Sequence, residues 1–344
     1  MDKARFEEIK GLIARDLTAE QCLDLERVVR EAASARMGEV SIIKSEATAR
    51  ANRKCPRCGG TKIVGHGCDK AGRQRFRCVV HPAGGCGKTF NALTNTPLAR
   101  MRMPEKWHGF ARMMLRGETI AAIGDSDLGI SRTCAWHWRH RLLKLPSFLQ
   151  AERLDGIVEA DETFFMRSFK GHRGWTQGTP PENRQPRYRG EKAILNGLSA
   201  EHVPVLTALD RSGARVEGVL ADRSAAEVRR VLTGKIAAGA VLCTDGLKAY
   251  PGVARRAGAE HRVFKPPRKS WLNKVLNRRP RRSGALGLGR VNGHHAQLKA
   301  FINTKFRGVS TKYLDAYVGW LRFISGSDIK PGDFIEAALK PIPQ

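Results

Sequence analysis

The stretch GIVEADETFF, residues 156–165, alternates its side chains with a period of two, as an extended strand requires: Glu159, Asp161 and Thr163 fall on one face, Val158, Ala160 and Phe164 on the other. Working outward, KAILNGLSA (192–200), VPVLTALD (203–210) and ARVEGVLAD (214–222) are further strand candidates. Ser224 and Glu227 form a capping box that predicts a helix through about Ile236. AVLCTDGLKAY (240–250) is a β-branched, apolar run that stops at Asp245-Gly246, so a second carboxylate stands at the end of a strand.

Three strands, a helix, a strand and a later helix, with acids on the first and fourth strands, follow the element order of the ribonuclease H-like fold. In that fold the two carboxylates meet on adjacent strands and bridge two magnesium ions, which serve phosphoryl transfer. Further along lies RVNGHHAQLKAFINTKFRG (290–308), a stretch without a carboxylate. On a helix Asn292, His295 and Lys299 fall at i, i+3 and i+7 and share one face. Two readings stand side by side. The face completes a metal site with neutral nitrogen and oxygen donors while Lys299 holds a phosphate, or it grips a DNA backbone. The Asn292 carboxamide suits a hard ion such as magnesium, whereas the His295 imidazole suits manganese or zinc better.

The 344-residue chain carries 61 Lys and Arg against 33 Asp and Glu, a net charge of +28, with 41% hydrophobic residues. Such a chain buries a core and attracts polyanions, nucleic acid above all, which excludes a disordered basic tail. Two acid-free runs concentrate the charge, residues 70–104 and residues 261–314, the latter with 14 Lys or Arg. No signal-peptide core or long apolar run is present, so the expectation is a cytoplasmic protein without a membrane partner.

Residues 1–47 show helical periodicity and read as a helical pair, or as an arm packed on a neighbour. Residues 48–98 read as a zinc ribbon. Cys55 and Cys58 form a C-x-x-C knuckle, and Cys78 and Cys86 supply a stretched second pair, with Cys68 or His81 as a substitute ligand. Four protein ligands leave no open position, so such a zinc is structural. Residues 99–148 read as a helix-turn-helix: Thr119 caps one helix, Leu128-Gly129-Ile130 turns, and Ser131 caps a second helix that offers Arg132, Arg139 and Arg141 to DNA. A helical hairpin with a basic face would look the same. Trp136 and Trp138 read as packing residues. Arg278, Arg279, Arg281 and Arg282 form a second phosphate-contacting cluster in a basic insertion near 261–290. The catalytic domain spans 149–328, and 329–344 is a C-terminal tail. The expected class is therefore a multidomain α+β and α/β protein: N-terminal helices, zinc ribbon and helix-turn-helix, then a ribonuclease H-like mixed-sheet domain.

In this order CPRCGG, RFRC, CGKTFNALTNTPLAR, ISRTCAWHWRHRLL, VEADETFF, CTDGLKAY, VNGHHAQLKAF and FRGVSTKYLDAYVGWLRF span roughly residues 50–325. Together they resemble the bacterial insertion-sequence transposases of the DDE superfamily, in the zinc-ribbon-containing branch called the insertion sequence fifteen-ninety-five family. The resemblance implies that Asp161 and Asp245 are the first two catalytic carboxylates, with Asn292 or His295 at the third position, where other branches place a glutamate, and Lys299 as the trailing lysine. It implies magnesium or manganese held by Asp161, Asp245 and Asn292, structural zinc, and a bacterial, nucleoid-associated location. It further implies binding to terminal inverted repeats of double-stranded DNA, cleavage by water and joining by the freed 3′-hydroxyl to target DNA, by a homodimer or higher oligomer on paired ends. A nuclease or resolvase on the same fold, and an inactive transposase-derived regulator, are the competing readings.

Overall fold

The computed structural model describes residues 2–82, 84–145, 150–182, 185–187, 199–264, 286–326 and 329–341. The chain divides into two compact units, one formed by residues 1–145 with 328–344 and the other by residues 146–327.

The first unit opens with α1 (Lys3–Asp16), capped by the Asp2 carboxylate on the Arg5 amide. The 34-residue α2 (Ala19–Asn52) follows, and Thr18 and Gln21 close a reciprocal capping box at its start. It packs through small residues. Gly109 donates its amide to Ser34 Oγ, Ser41 Oγ lies 3.4 Å from His108 Nε2, and a Cβ on Gly38 would lie 2.3 Å from the Pro104 carbonyl oxygen. Only glycine admits that approach.

Three short strands, β1 (Ile63–Cys68), β2 (Gln74–Cys78) and β3 (Thr89–Asn91), form an antiparallel sheet in sequential order. Then come α3 (Trp107–Leu115), α4 (Ile120–Gly124) and α5 (Arg132–Leu142). Thr119 and Ser131 cap α4 and α5 as the sequence predicts, through the Ala122 and Cys134 amides. Gly129 takes φ +62° in the connection between them. Trp138 meets Phe110 edge-on at 5.3 Å in the core, while Trp136 stays 39% exposed. Residues 331–338, within the expected tail, form α10 (Pro331–Ala338), which buries Phe334, Ile335 and Ala338 and packs against α3.

The second unit is built on a five-stranded mixed sheet of β4 (Ile157–Met166), β5 (His202–Leu209), β6 (Arg215–Val219), β7 (Val241–Thr244) and β8 (Glu260–Val263), in the order β6-β5-β4-β7-β8. The first three strands pair antiparallel, and β7 and β8 join parallel. On one face Val158 and Ala160 of β4 enter a core with Leu206, Leu242, Val228 of α6 (Ala225–Leu232) and Val253 of α7 (Tyr250–Ala257). On the other face lie α8 (Gly289–Lys299) and α9 (Leu314–Gly326), so helices cover both sides of the sheet. A π-helical turn, Ala300–Lys305, follows α8.

The helix after Ser224 ends at Leu232, four residues before the expected Ile236. Ser224 Oγ accepts from the Glu227 amide, but the Ser224 amide is taken by Asp222 and the Glu227 carboxylate by Ala221, so only half of the expected capping box forms. The strand expected over 192–200 lies almost wholly outside the described residues, as does the cluster Arg278, Arg279, Arg281 and Arg282.

Candidate functional site

Two groups of metal-competent side chains form among the described residues, one in each unit. In the first unit, Cys55 and Cys58 flank a turn that needs Gly59 at φ +75°, and Cys78 ends β2. Cys86 follows Gly85, where a Cβ would meet the Val79 carbonyl oxygen. Cys55 Sγ lies 3.7 Å from Cys86 Sγ, and Cys58 Sγ 3.7 Å from Cys78 Sγ. A tetrahedron with zinc–sulfur bonds of about 2.3 Å has edges of about 3.8 Å, so this spacing fits zinc. The amide of Gly60 lowers the Cys58 thiol to about 7, whereas burial raises Cys55 to about 11. Cys68 sits exposed at the end of β1, outside the group, and Cys243 is buried in the second unit.

In the second unit, β4 and β7 run parallel with Glu159 beside Cys243. Two residues further along each chain stand Asp161 and Asp245, and these two with Glu162 offer carboxylate oxygens within 4.8 Å of one another. Octahedral magnesium places neighbouring oxygens about 3 Å apart and opposite ones about 4.2 Å, so three hard donors at this spacing suit such an ion. Burial, together with the charges of Asp245 and Glu162, raises the Asp161 carboxyl to about 6 even though the Glu162 amide donates to it at 2.9 Å. Glu162 points to the opposite face of β4 from Asp161. It accepts from the Tyr250 hydroxyl through Oε1 and from Arg223 Nε and Nη2 through Oε2, at 3.2 and 3.0 Å. Arg223 also comes within 3.9 Å of Asp245 and lies over the Phe164 ring, 5.6 Å from its centroid.

Neither Glu162, Arg223 nor Tyr250 figures in the sequence reading. The one available signal was the adjacent Asp161-Glu162 pair, because neighbouring side chains on opposite faces of β4 still bring carboxylate oxygens within 4.8 Å of each other.

The helix α8 is anchored by Glu159, whose Oε2 accepts from the amides of Arg290 and Val291 at 2.8 and 3.0 Å and whose Oε1 pairs with Arg211. One residue row across the sheet holds Asp161, Thr207 and Glu217, and Glu217 meets this helix through His294. His294 donates from Nε2 to Glu217 at 2.6 Å and accepts from Arg215 on Nδ1, while Arg322 of α9 reaches the other Glu217 oxygen at 3.1 Å. Burial pushes the Glu217 carboxyl up, but His294, Arg322 and Arg215 outweigh it and hold the group below its ordinary value.

The expected shared face of Asn292, His295 and Lys299 differs in depth. Asn292 and Lys299 are exposed, while His295 is 6% exposed. Burial, with His294 and Lys299 beside it, lowers the His295 imidazole to about 4. Its Nε2 is buried with no hydrogen-bond partner among the described residues, as is Thr163 Oγ1. His295 does not join the oxygens that gather within 4.8 Å.

On α5 the expected basic face is corrected at Arg139. That side chain is 0% exposed and donates to the Glu118 carbonyl, because position 139 falls on the core stripe of Ala135, Trp138 and Leu142. Arg141 is half-buried and donates to the Ala99 carbonyl, and Arg132 is exposed and paired with Asp125 at 2.8 Å. Among the described residues no helix is long and apolar enough to cross a membrane.

Comparison with known proteins gives three findings. No curated protein matches. Among solved structures, a chain of the simian T-cell lymphotropic virus intasome in complex with the PP2A regulatory subunit B56 gamma is 12% identical at TM-score 0.26 over 61% of this chain and 64% of that one, so this chain spans under two thirds of that relative. A chain of the pre-cleavage Mos1 transpososome is 10% identical at TM-score 0.17, over 69% and 80%. Likeness at that level carries no argument about this chain. The family comparison does: the ISXO2-like transposase domain matches residues 153–324, half of the chain and nearly all of the second unit. The chain therefore belongs to the ISXO2-like transposase family.

Proposed function

We propose that this protein is a DNA transposase whose second unit, a ribonuclease H-like domain, cleaves and joins DNA at Asp161 and Asp245. The observation that carries the reading is the convergence of those two carboxylates from adjacent parallel strands inside the family-matched domain. Divalent magnesium or manganese held there would supply charge neutralisation and an activated oxygen for phosphoryl transfer. The chain's own residues do the rest. Asp161 and Asp245 offer hard anionic donors, and burial first, then the charges of Asp245 and Glu162, raises the Asp161 carboxyl. Glu162 holds Arg223 against Phe164, which keeps one cation beside the cluster where a phosphate would enter.

The third position falls to α8, with the Asn292 carboxamide and the His295 imidazole as rival donors and Lys299 as a phosphate contact. The unpartnered Nε2 of His295 supports that residue, and the hardness of its oxygen supports Asn292. In the first unit we assign one structural zinc to Cys55, Cys58, Cys78 and Cys86. We assign recognition of the element ends to the exposed side of α5, from Arg132, and phosphate contacts to Arg278, Arg279, Arg281 and Arg282.

The test is a paired cleavage and strand-transfer assay on DNA carrying the element ends. Transposition requires both products from the wild type and neither from Asp161→Ala. Cleavage without joining identifies the nuclease reading, and end binding without cleavage the regulator. His295→Ala as inactive as Asp161→Ala, with Asn292→Ala still cleaving, makes His295 the third donor, and the reverse makes it Asn292.

A further inference from the structure

Nine of the fourteen exposed large apolar side chains among the described residues fall between Phe6 and Ile43, on α1 and α2. Three of them, Val29, Val40 and Ile43, share one face of α2, the kind of apolar surface that another body covers. On α2 the inner face carries Ser34, Gly38 and Ser41, all buried. On the opposite side Val29, Ala33, Arg36, Val40, Ile43 and Ala47 are all exposed, and their spacings of four, three, four, three and four residues make an unbroken 3.5-residue repeat. A repeat of that period keeps one seam facing a neighbouring helix over about 27 Å of helix.

Charge identifies the neighbour. Residues 1–52 hold ten Asp or Glu and nine Lys or Arg, a net charge of −1 in a chain of +28. The helices that expose the apolar seam are therefore the part of the molecule least suited to DNA. The seam is also self-complementary. With two copies antiparallel about its midpoint, Val29 faces Ala47 and Ala33 faces Ile43, so large side chains meet small ones towards both ends, and at the centre the aliphatic stem of Arg36 faces Val40. Arg36 then comes beside Glu39 of the second copy, twice by symmetry. Neither Arg36 nor Glu39 makes an ion pair within the chain among the described residues. A parallel arrangement would instead set Arg36 against Arg36.

We propose that the exposed face of α2 is a homodimer interface, an antiparallel two-helix seam between two copies of this chain. The pairing is independent of whether the chain cuts DNA, and it involves none of the residues assigned to zinc, to DNA or to the carboxylate cluster.

The experiment is sedimentation equilibrium on the full zinc-loaded chain, stripped of nucleic acid, in moderate salt. The wild type is expected at twice its 38.1 kDa mass, and Val40→Asp with Ile43→Asp is expected to halve that mass while circular dichroism and zinc content stay unchanged. Both substitutions fall on exposed positions, so they leave the fold intact. Arg36→Glu should weaken association roughly ten-fold by setting like charges together, and Arg36→Glu with Glu39→Arg should restore it. A wild-type mass of 38.1 kDa at every concentration overturns the proposal, since the seam then faces some other protein or nothing. An aspartate variant that remains double in mass overturns it equally, and a double charge swap that fails to restore association overturns the antiparallel arrangement.

Discussion

The cysteine group of the first unit and the carboxylate group of the second are both small clusters of metal-competent donors, yet they are assembled in opposite ways. The four thiols come from 32 consecutive residues, 55–86, brought together by glycine turns and a short sheet, and each thiol faces the others. The three carboxylates come from β4 and from the end of β7, more than 80 residues apart, and their positions depend on a five-stranded sheet being in register. A closed set of four soft donors holds a fold together. An open set of hard donors, with Arg223 beside it, leaves room for a substrate.

That contrast is broken most directly at the carboxylates. Asp245→Ala is expected to reduce cleavage by about three orders of magnitude or more while end binding, read by mobility shift, changes less than about three-fold, because a metal donor and no DNA contact is removed. Glu162→Gln should cost less, about ten- to a hundred-fold, because it acts by holding Arg223 and Tyr250. Equal losses in the two variants would make Glu162 a direct donor and the cluster a symmetric one.

At the thiols the expected effect is on folding. Cys58→Ser should lose the bound zinc, read by atomic absorption, and unfold the segment 55–91, whereas Cys243→Ser should keep a full equivalent. If Cys58→Ser retains zinc, the local group is no closed site and the comparison fails.

The buried Glu217 tests how far the second cluster depends on the surrounding sheet. Glu217→Ala leaves Arg322 and His294 buried without their carboxylate and should lower the stability of the second unit by about 3–5 kcal/mol, measured by denaturant unfolding. The zinc content of the first unit should not change.

The smallest expected effect is on pH dependence. The folded Asp161 carboxyl, at about 6, lies above its ordinary 3.8, so between those values the folded protein keeps a proton that the unfolded chain has released. Its contribution to stability is therefore greatest at low pH and falls as pH rises through that window. Asp161→Asn should flatten that part of the profile of metal-free protein, and added manganese should reverse its slope by replacing the proton with a cation. A slope unchanged in Asp161→Asn would remove this carboxyl as its source.

Legibility in the sequence follows the same division. The cysteines could be read from spacing because their geometry is local, and the alternation of residues 158–164 placed Asp161 on the correct face of its strand because a strand has a fixed period. Glu217 was read as one residue of a strand, since its partners His294 and Arg322 are remote in the chain and only the fold joins them. Arg139 misled because a basic residue on a capped helix looks DNA-facing, although the apolar stripe at 135, 138 and 142 already placed that position inward. The helical period put Asn292, His295 and Lys299 on one side of α8, but periodicity carries no information about depth, and only His295 is buried.

Glu159 gives β4 the role of a ruler. It grips the first turn of α8 through two amides, and the next residue on the same face is Asp161. The distance from anchor to Asp161 is thus one strand repeat, about 6.7 Å, and does not depend on loop length. Whatever the length of chain between β8 and α8, Asn292 and His295 are measured off from the same strand that carries Asp161. Insertions or deletions there can accumulate without detuning the centre, whereas Glu159→Asp, one methylene shorter, would shift the helix start itself.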